Sequence, residues 1–234
     1  NSENIGLIQG PPGTGKTKVI KEIIGQVVTK SIKTADSPRI LIVSQSHTAV
    51  DNILEGLDST ISDDLEIVRI GADKNVSPKI SCRYTMPAHR DKLFSDVKKN
   101  VEKYDKRMEE VYQDISDQRI LDRWKKIKEI QEDWIDRSVE KDCLDYQLVR
   151  SATVIAGTCV GFLANSFVKD MEFDYVIIDE AAKATTPELL VSIIKAKKII
   201  LVGDQNQLPA YADQELSPII SQLTKDPKYR LFDL

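Results

Sequence analysis

Six short, nearly unbroken apolar runs punctuate the chain: Ile5 to Ile8, Ile40 to Val43, Ile67 to Ile70, Val154 to Ala156, Tyr175 to Ile178 and Ile199 to Val202. Each gives way to a helical or polar stretch. Because the runs are continuous rather than alternating, they predict strands covered on both faces, as in a parallel sheet flanked by helices. That succession is an α/β pattern. After the first run, Val19, Ile20, Ile23, Ile24, Val27 and Val28 recur at helical spacing, which predicts an amphipathic helix packed on the sheet.

The pattern changes between Arg90 and Arg150, where 15 basic and 16 acidic residues fall within 61 positions. The sequence thus divides into a core over residues 1–89 and 151–234 and an inserted charged helical subdomain over 90–150. Within it Phe94, Val97, Val101, Tyr104, Met108, Val111 and Ile115 are spaced three and four residues apart, the seam of a coiled-coil helix. Past a turn expected at Ser116 to Gln118, a second apolar face is offered by Ile120, Trp124, Ile127, Ile130 and Trp134, so the segment reads as an antiparallel helical hairpin. Its charges nearly cancel, which describes a solvated face rather than a nucleic-acid patch. The two tryptophans fit helix packing, and His89 reads as a surface or hinge residue.

Composition narrows the class. With 234 residues, 41% hydrophobic and 30% charged, the chain can bury a sizeable core. A net charge of -4 and a pI near 5.4 exclude a basic coat for nucleic acid, so any such contact must be a local groove. Cys82, Cys143 and Cys159 lack metal-ligand or disulfide spacing, which points to a reducing, intracellular location, cytoplasmic or nuclear. No apolar run approaches a membrane span, and the Asn-Ser-Glu start carries no signal-peptide pattern.

Chemistry enters at the end of the first run. Gly10-Pro11-Pro12-Gly13-Thr14-Gly15-Lys16-Thr17 satisfies the spacing G-x-x-x-x-G-K-[ST] and stands between a strand and a helix, the context this phosphate loop requires. Glycines let backbone N–H groups turn inward around phosphates, and the helix N-terminus adds positive potential. Lys16 can reach the β and γ phosphates of ATP, and the Thr17 hydroxyl can ligate Mg²⁺.

The fifth run ends in Asp179-Glu180-Ala181-Ala182, which sets two carboxylates at the edge where open α/β sheets bind ligands. Asp179 is the candidate Mg²⁺ ligand, and Glu180 the group that orients or deprotonates the attacking water. The sixth run ends in Gly203-Asp204-Gln205-Asn206-Gln207-Leu208-Pro209-Ala210, where Gln207 is placed to sense the γ-phosphate and Asp204 to support the metal shell.

In this order, the three motifs resemble the first motor domain of superfamily-one helicases, in particular the Upf-like and senataxin-like group. Ser44-Gln45-Ser46-His47-Thr48-Ala49-Val50-Asp51 looks like that group's motif Ia, and Ala156-Gly157-Thr158-Cys159-Val160-Gly161 like its Thr-Cys-Val-Gly segment. The resemblance implies a RecA-like P-loop fold, hydrolysis of ATP with Mg²⁺, and single-stranded RNA or DNA held by Ser46, His47, Thr48 and Thr158. Such backbone contacts give affinity without sequence choice. Capping of the following helix is the alternative role for His47. Ala181-Ala182 after the acidic pair is similar to the branch that moves 5′ to 3′. Lys183 departs from the usual Gln or Ser, and Ala210 from a second Pro.

The resemblance also implies a second RecA-like domain supplying arginines to the γ-phosphate, for which the 27 residues after Gln207 leave no room. Nine residues before Gly10 are likewise too few for an adenine-recognising Gln motif. The sequence therefore reads as part of a longer motor whose isolated piece binds nucleotide weakly and hydrolyses it slowly. The competing expectation is a nucleotide-gated nucleic-acid-binding scaffold that never unwinds.

Overall fold

The computed structural model describes residues 4–34, 38–57, 65–112, 117–138 and 141–207. All six predicted strands form: β1 (Ile5–Gln9), β2 (Ile40–Ser44), β3 (Ile67–Arg69), β4 (Val154–Thr158), β5 (Phe173–Asp179) and β6 (Ala196–Gly203). They make one sheet in the order β1-β6-β5-β2-β4-β3, every pair parallel. In a parallel sheet all carboxyl ends share one edge, so every loop carrying a motif opens on the same side.

The described α-helices are α1 (Lys16–Thr34), α2 (His47–Leu57), α3 (Pro78–Tyr84), α4 (Met86–Tyr112), α5 (Gln118–Ser138), α6 (Lys141–Ser151), α7 (Ser166–Lys169) and α8 (Thr186–Ile193), joined by short 3₁₀ turns at Asp73–Asn75, Gly161–Ala164 and Ala181–Lys183. One face of the sheet packs Ile40, Ile42, Val154 and Ile177 against Ile20 and Ile24 of α1 and Ile53 and Leu54 of α2. The other packs Leu41, Val43, Val176 and Ile178 with Val149 of α6, Val168 of α7 and Phe162 of the 3₁₀ turn Gly161–Ala164. Strand β2 is the centre of the fold: all five of its residues are buried. Burying each large aliphatic side chain there contributes roughly 1.5–3 kcal/mol, which fixes the strand that carries motif Ia.

Strand β1 departs from the expectation of two covered faces. Ile8 packs beside α1, but Leu7 is 75% and Ile5 53% exposed. The run is continuous because glycine fills its second position, and burial along it alternates.

Between β3 and β4 the chain forms α3 to α6. Lys128 of α5 reaches Asp105 of α4 at 3.4 Å, and Arg90 near the start of α4 grips Asp145 of α6 with both oxygens at 2.9 Å, so α4 and α5 run antiparallel from a tethered base. The face of α5 differs from the expected one. Leu121, Trp124, Lys128 and Gln131 are half-buried, whereas Ile120, Ile127, Ile130 and Trp134 are exposed. Of the predicted stripe only Trp124 turns inward, on the same face as Lys128 and its ion pair with Asp105. Ile115 and Ser116 lie outside the described residues, as do Leu208, Pro209 and Ala210 and the side chain of Cys143. No helix among the described residues is long and apolar enough to cross a membrane.

Candidate nucleotide site and nucleic-acid edge

The phosphate loop leaves β1 with Gly10 N–H donating to the Gly203 carbonyl at 3.1 Å, which ties it to β6. Gly13 and Gly15 hold φ of +78° and +86°, left-handed backbone that a side chain would strain, and nothing stands within 4 Å of where their Cβ atoms would be. At Gly10 a Cβ would meet Thr14 Oγ1 at 2.6 Å. That hydroxyl donates to the Pro11 carbonyl at 2.7 Å, while Pro12 rides exposed on the turn. Lys16 Nζ donates to the carbonyls of Gly10 at 2.6 Å and Pro11 at 3.0 Å. The lysine thus spans its own loop, where its charge meets whatever the glycines admit.

Two strands away, Asp179 ends β5 and is 7% exposed. Burial pushes its carboxyl above the ordinary 3.8; the Glu180 N–H bond pulls the other way, the Glu180 charge adds to the rise, and the charges of Lys16 and Lys183 oppose it. Glu180 follows at φ +53°, the only residue other than glycine with positive φ among those described. This turn swings its carboxylate away from the strand direction, into a position where Oε1 accepts from Lys183 Nζ at 2.7 Å and Oε2 from Ser46 Oγ at 3.3 Å. A 3₁₀ turn, Ala181–Lys183, packs beneath the tip of β6: a Cβ on Gly203 would lie 3.2 Å from Ala182 N and 3.3 Å from Ala181 N. Between these acids and the loop stands Asp204, 7% exposed, which accepts from Asn206 N–H at 3.1 Å and from Gln207 Nε2 at 3.2 Å. Gln207 is thereby turned toward the acid row.

The donor set suits Mg²⁺. Thr17 at the head of α1 and Asp179 supply a hydroxyl and a carboxylate, hard oxygens of the kind this ion takes while keeping waters and phosphates as its other ligands. No cluster of three or more His, Cys, Asp or Glu that could cage a metal occurs among the described residues. Ser44 Oγ, in register with Asp179, is buried without a hydrogen-bond partner in the protein, a polar atom at the floor of this same edge.

Beyond β5 the edge continues to β2, β4 and β3. Ser46, not His47, caps α2: its Oγ accepts from Ala49 N–H at 3.1 Å. The hydroxyl has one proton, and with its lone pair taken by the cap that proton faces Glu180. His47 begins the helix and turns toward a cavity of about 400 Å³ that it lines with Arg69, Gly71, Asn75, Thr158 and Asn165. Thr158 Oγ1 accepts from Gly161 N–H at 3.1 Å, so it also fixes its own turn. Thr48 is exposed on α2. The structure therefore brings His47 and Thr158 to one cavity, and Ser46 to the acidic turn instead.

Arg69, 1% exposed, was not singled out in the sequence because it interrupts an apolar run. Its Nε donates to Asp51 Oδ1 at 2.9 Å, one terminal nitrogen to the Ile70 carbonyl, and the other to His47 Nδ1 at 3.1 Å. Asp51 Oδ2 also accepts Ser77 N–H at 2.7 Å. An arginine has only donors, so Nδ1 is the acceptor and the neutral ring carries its proton on Nε2. Burial holds the His47 imidazole below its ordinary 6.5, and the Arg69 charge lowers it further against the opposing Asp51. His89, expected at the surface or at the hinge of the insertion, is half-buried with Nε2 2.7 Å from the Ile67 carbonyl, pinning the start of α4 to β3.

An all-parallel sheet whose phosphate loop and acidic turn open along one edge is the architecture of a RecA-like P-loop ATPase domain. Residues 1–214 match the AAA domain family AAA_11, and the chain belongs to it, as a first motor domain of the Upf-like, superfamily-one type. Similar sequences include an uncharacterised ATP-dependent helicase of Methanocaldococcus jannaschii, 31% identical over 89% of this chain and 35% of that protein. The DNA polymerase alpha-associated DNA helicase A of Schizosaccharomyces pombe is 30% identical over 95% of this chain and 32% of its own length. The ATP-dependent helicase upf1 of the same yeast is 31% identical over 88% and 20% respectively. The chain spans about a third or less of these relatives.

Proposed function

We propose that this chain is the ATP-hydrolysing half of a helicase or translocase that grips single-stranded RNA or DNA and works with a second RecA-like domain of the same polypeptide. The reading rests on one observation. The carboxyl-edge residues form a single row, from Gly10 and Lys16 through Asp204, Asp179 and Glu180 to Ser46 and His47 and then Thr158, in the order of the strands that lead to them. Phosphate chemistry occupies one end of the row and backbone-binding groups the other.

In this scheme the amides of Gly13 to Thr17 and the Lys16 ammonium bind and orient the β and γ phosphates of ATP, and Gln207 reports on the γ-phosphate from its place beside Asp204. Thr17 and Asp179 would hold Mg²⁺, which would supply charge neutralisation at the phosphate oxygens. Glu180 positions the attacking water and takes its proton. His47 offers Nε2–H, and Thr48 and Thr158 their hydroxyls, to strand phosphates. The division into a core of residues 1–89 and 151–234 with residues 90–150 inserted, and 5′ to 3′ movement, belong to the same proposal.

The test is made in the full-length protein. Lys16→Ala is expected to abolish nucleotide binding, and Glu180→Gln to retain binding while lowering strand-stimulated ATP hydrolysis by about 10²-fold or more. Full turnover in both variants overturns the mechanism. Nucleotide-dependent strand binding that survives both, with hydrolysis undetectable in the wild type, identifies the scaffold instead.

A further inference from the structure

We infer that Lys183 and Ser46 hold the Glu180 carboxylate in check, and that a strand phosphate arriving at the edge draws both donors away and releases it. This rests on the proposed nucleic-acid role of the edge. The two oxygens of Glu180 are both engaged, Oε1 by the Lys183 ammonium at 2.7 Å and Oε2 by the Ser46 hydroxyl at 3.3 Å. A carboxylate has about four acceptor sites, so these two bonds take half of them and fix the direction in which the others face. Neither grip is structural filler. Lys183 is 39% and Glu180 26% exposed in their side chains, so the pair faces the open edge and gains no stability from a dry interior.

The two donors come from different places. Lys183 closes the 3₁₀ turn behind β5, and Ser46 stands at the N-terminus of α2, just past the end of the neighbouring strand β2. An anion lying along the edge between β5 and β2 is therefore within reach of both, and the α2 N-terminus adds its own positive potential there. Phosphate and carboxylate compete for the same two donors. The competition is reciprocal: whatever a strand gains by taking the donors, Glu180 loses, and removing the carboxylate must strengthen the strand. Lys183 is thus a positioning residue acting through Glu180.

The experiment is a double-mutant cycle in the full-length protein, with an unstructured oligouridylate and an oligothymidylate as probes. Strand affinity is measured by fluorescence anisotropy without nucleotide. Glu180→Gln is expected to tighten binding about 3- to 5-fold in the wild-type background, the fold-change corresponding to an exposed ion pair, and to have little effect in a Lys183→Gln background. Simple removal of a negative charge would tighten both equally. In parallel, Lys183→Gln is expected to raise ATP turnover without strand about 3- to 5-fold and to lower the ratio of stimulated to basal turnover. Lys183→Arg, which keeps the ion pair, is expected to stay near wild type. Equal effects of Glu180→Gln in both backgrounds, or a proportionate fall of basal and stimulated turnover in Lys183→Gln, overturn the restraint while leaving the motor reading intact. A wild-type protein that binds neither probe overturns both.

Discussion

Arg69 and Asp51 form an ion pair, Nε to Oδ1 at 2.9 Å, with 0% and 5% of their side chains exposed. Burying two charges is costly, and removing one partner is costlier, because the other stays behind without compensation. Asp51→Ala is expected to destabilise the fold by about 3–5 kcal/mol. An apolar pair, Asp51→Leu with Arg69→Met, is expected to recover most of that loss. Urea midpoints at unchanged slope measure both, and a loss below about 1 kcal/mol for Asp51→Ala would show that the pair is solvated.

The same arginine sets the behaviour of His47. A base whose folded pKa lies below its unfolded value binds fewer protons folded, so stability rises with pH across the window between the two. The contribution of His47 is fully present above 6.5 and is lost as pH falls through 6.5 toward the lower folded value. Titration of the two histidines by nuclear magnetic resonance is expected to place His47 below 6.5 with its proton on Nε2 when neutral. Arg69→Met is expected to raise that midpoint, and a wild-type midpoint above 6.5 would contradict the geometry.

Gly203→Ala probes the contact between β6 and the turn behind Glu180. The added methyl must push on backbone nitrogens at 3.2 and 3.3 Å, and the turn moves more easily than the strand. Misplacing a reacting group by a fraction of an ångström is expected to lower ATP turnover by about tenfold with nucleotide affinity almost unchanged. Equal loss of affinity and turnover would place the damage in the phosphate loop instead.

Thiol reactivity separates two cysteines. Cys82 is exposed, whereas Cys159 is 1% exposed and burial pushes its thiol up to about 12. In a Cys143→Ser background, a disulfide reagent at pH 8 is expected to modify Cys82 at once and Cys159 only with denaturant, because the thiolate is the nucleophile. Rapid reaction of both would mean that the sheet face over Cys159 opens in solution.

Tryptophan quenching reads the orientation of α5. Trp134 is 62% exposed and Trp124 half-buried beside Lys128, so Trp134→Phe is expected to remove most acrylamide-accessible emission and Trp124→Phe the shielded part. Equal shielding of both would restore the stripe expected from spacing alone.

Strands β2 to β5 were legible because burial on two faces leaves a signature in each run by itself, and β1 and β6 because their runs are apolar even where they are less covered. The phosphate loop and the acidic pair were legible for a similar reason: their chemistry is local, carried by residues within one turn. What escaped depends on meetings between distant segments. Arg69 looked like a flaw in an apolar run until Asp51, 18 positions earlier, was found beside it. The Ser46 to Glu180 contact joins residues 134 positions apart, and no periodicity announces it. The face of α5 was misread because spacing gives the period of an apolar stripe but not which neighbour it meets: Leu121, Trp124, Lys128 and Gln131 face inward instead. Strand β1 was misread because a continuous run does not say which of its faces another element covers.

The left-handed backbone at Glu180 has a consequence for anyone evolving this protein. Glycine adopts φ near +53° at no steric cost, whereas a side chain there carries about 1–2 kcal/mol. A library ranked by melting temperature alone is expected to enrich Glu180→Gly, trading the carboxylate proposed to activate water for heat tolerance. Selection for robustness and selection for turnover pull this codon in opposite directions, and only a screen that scores hydrolysis will keep it.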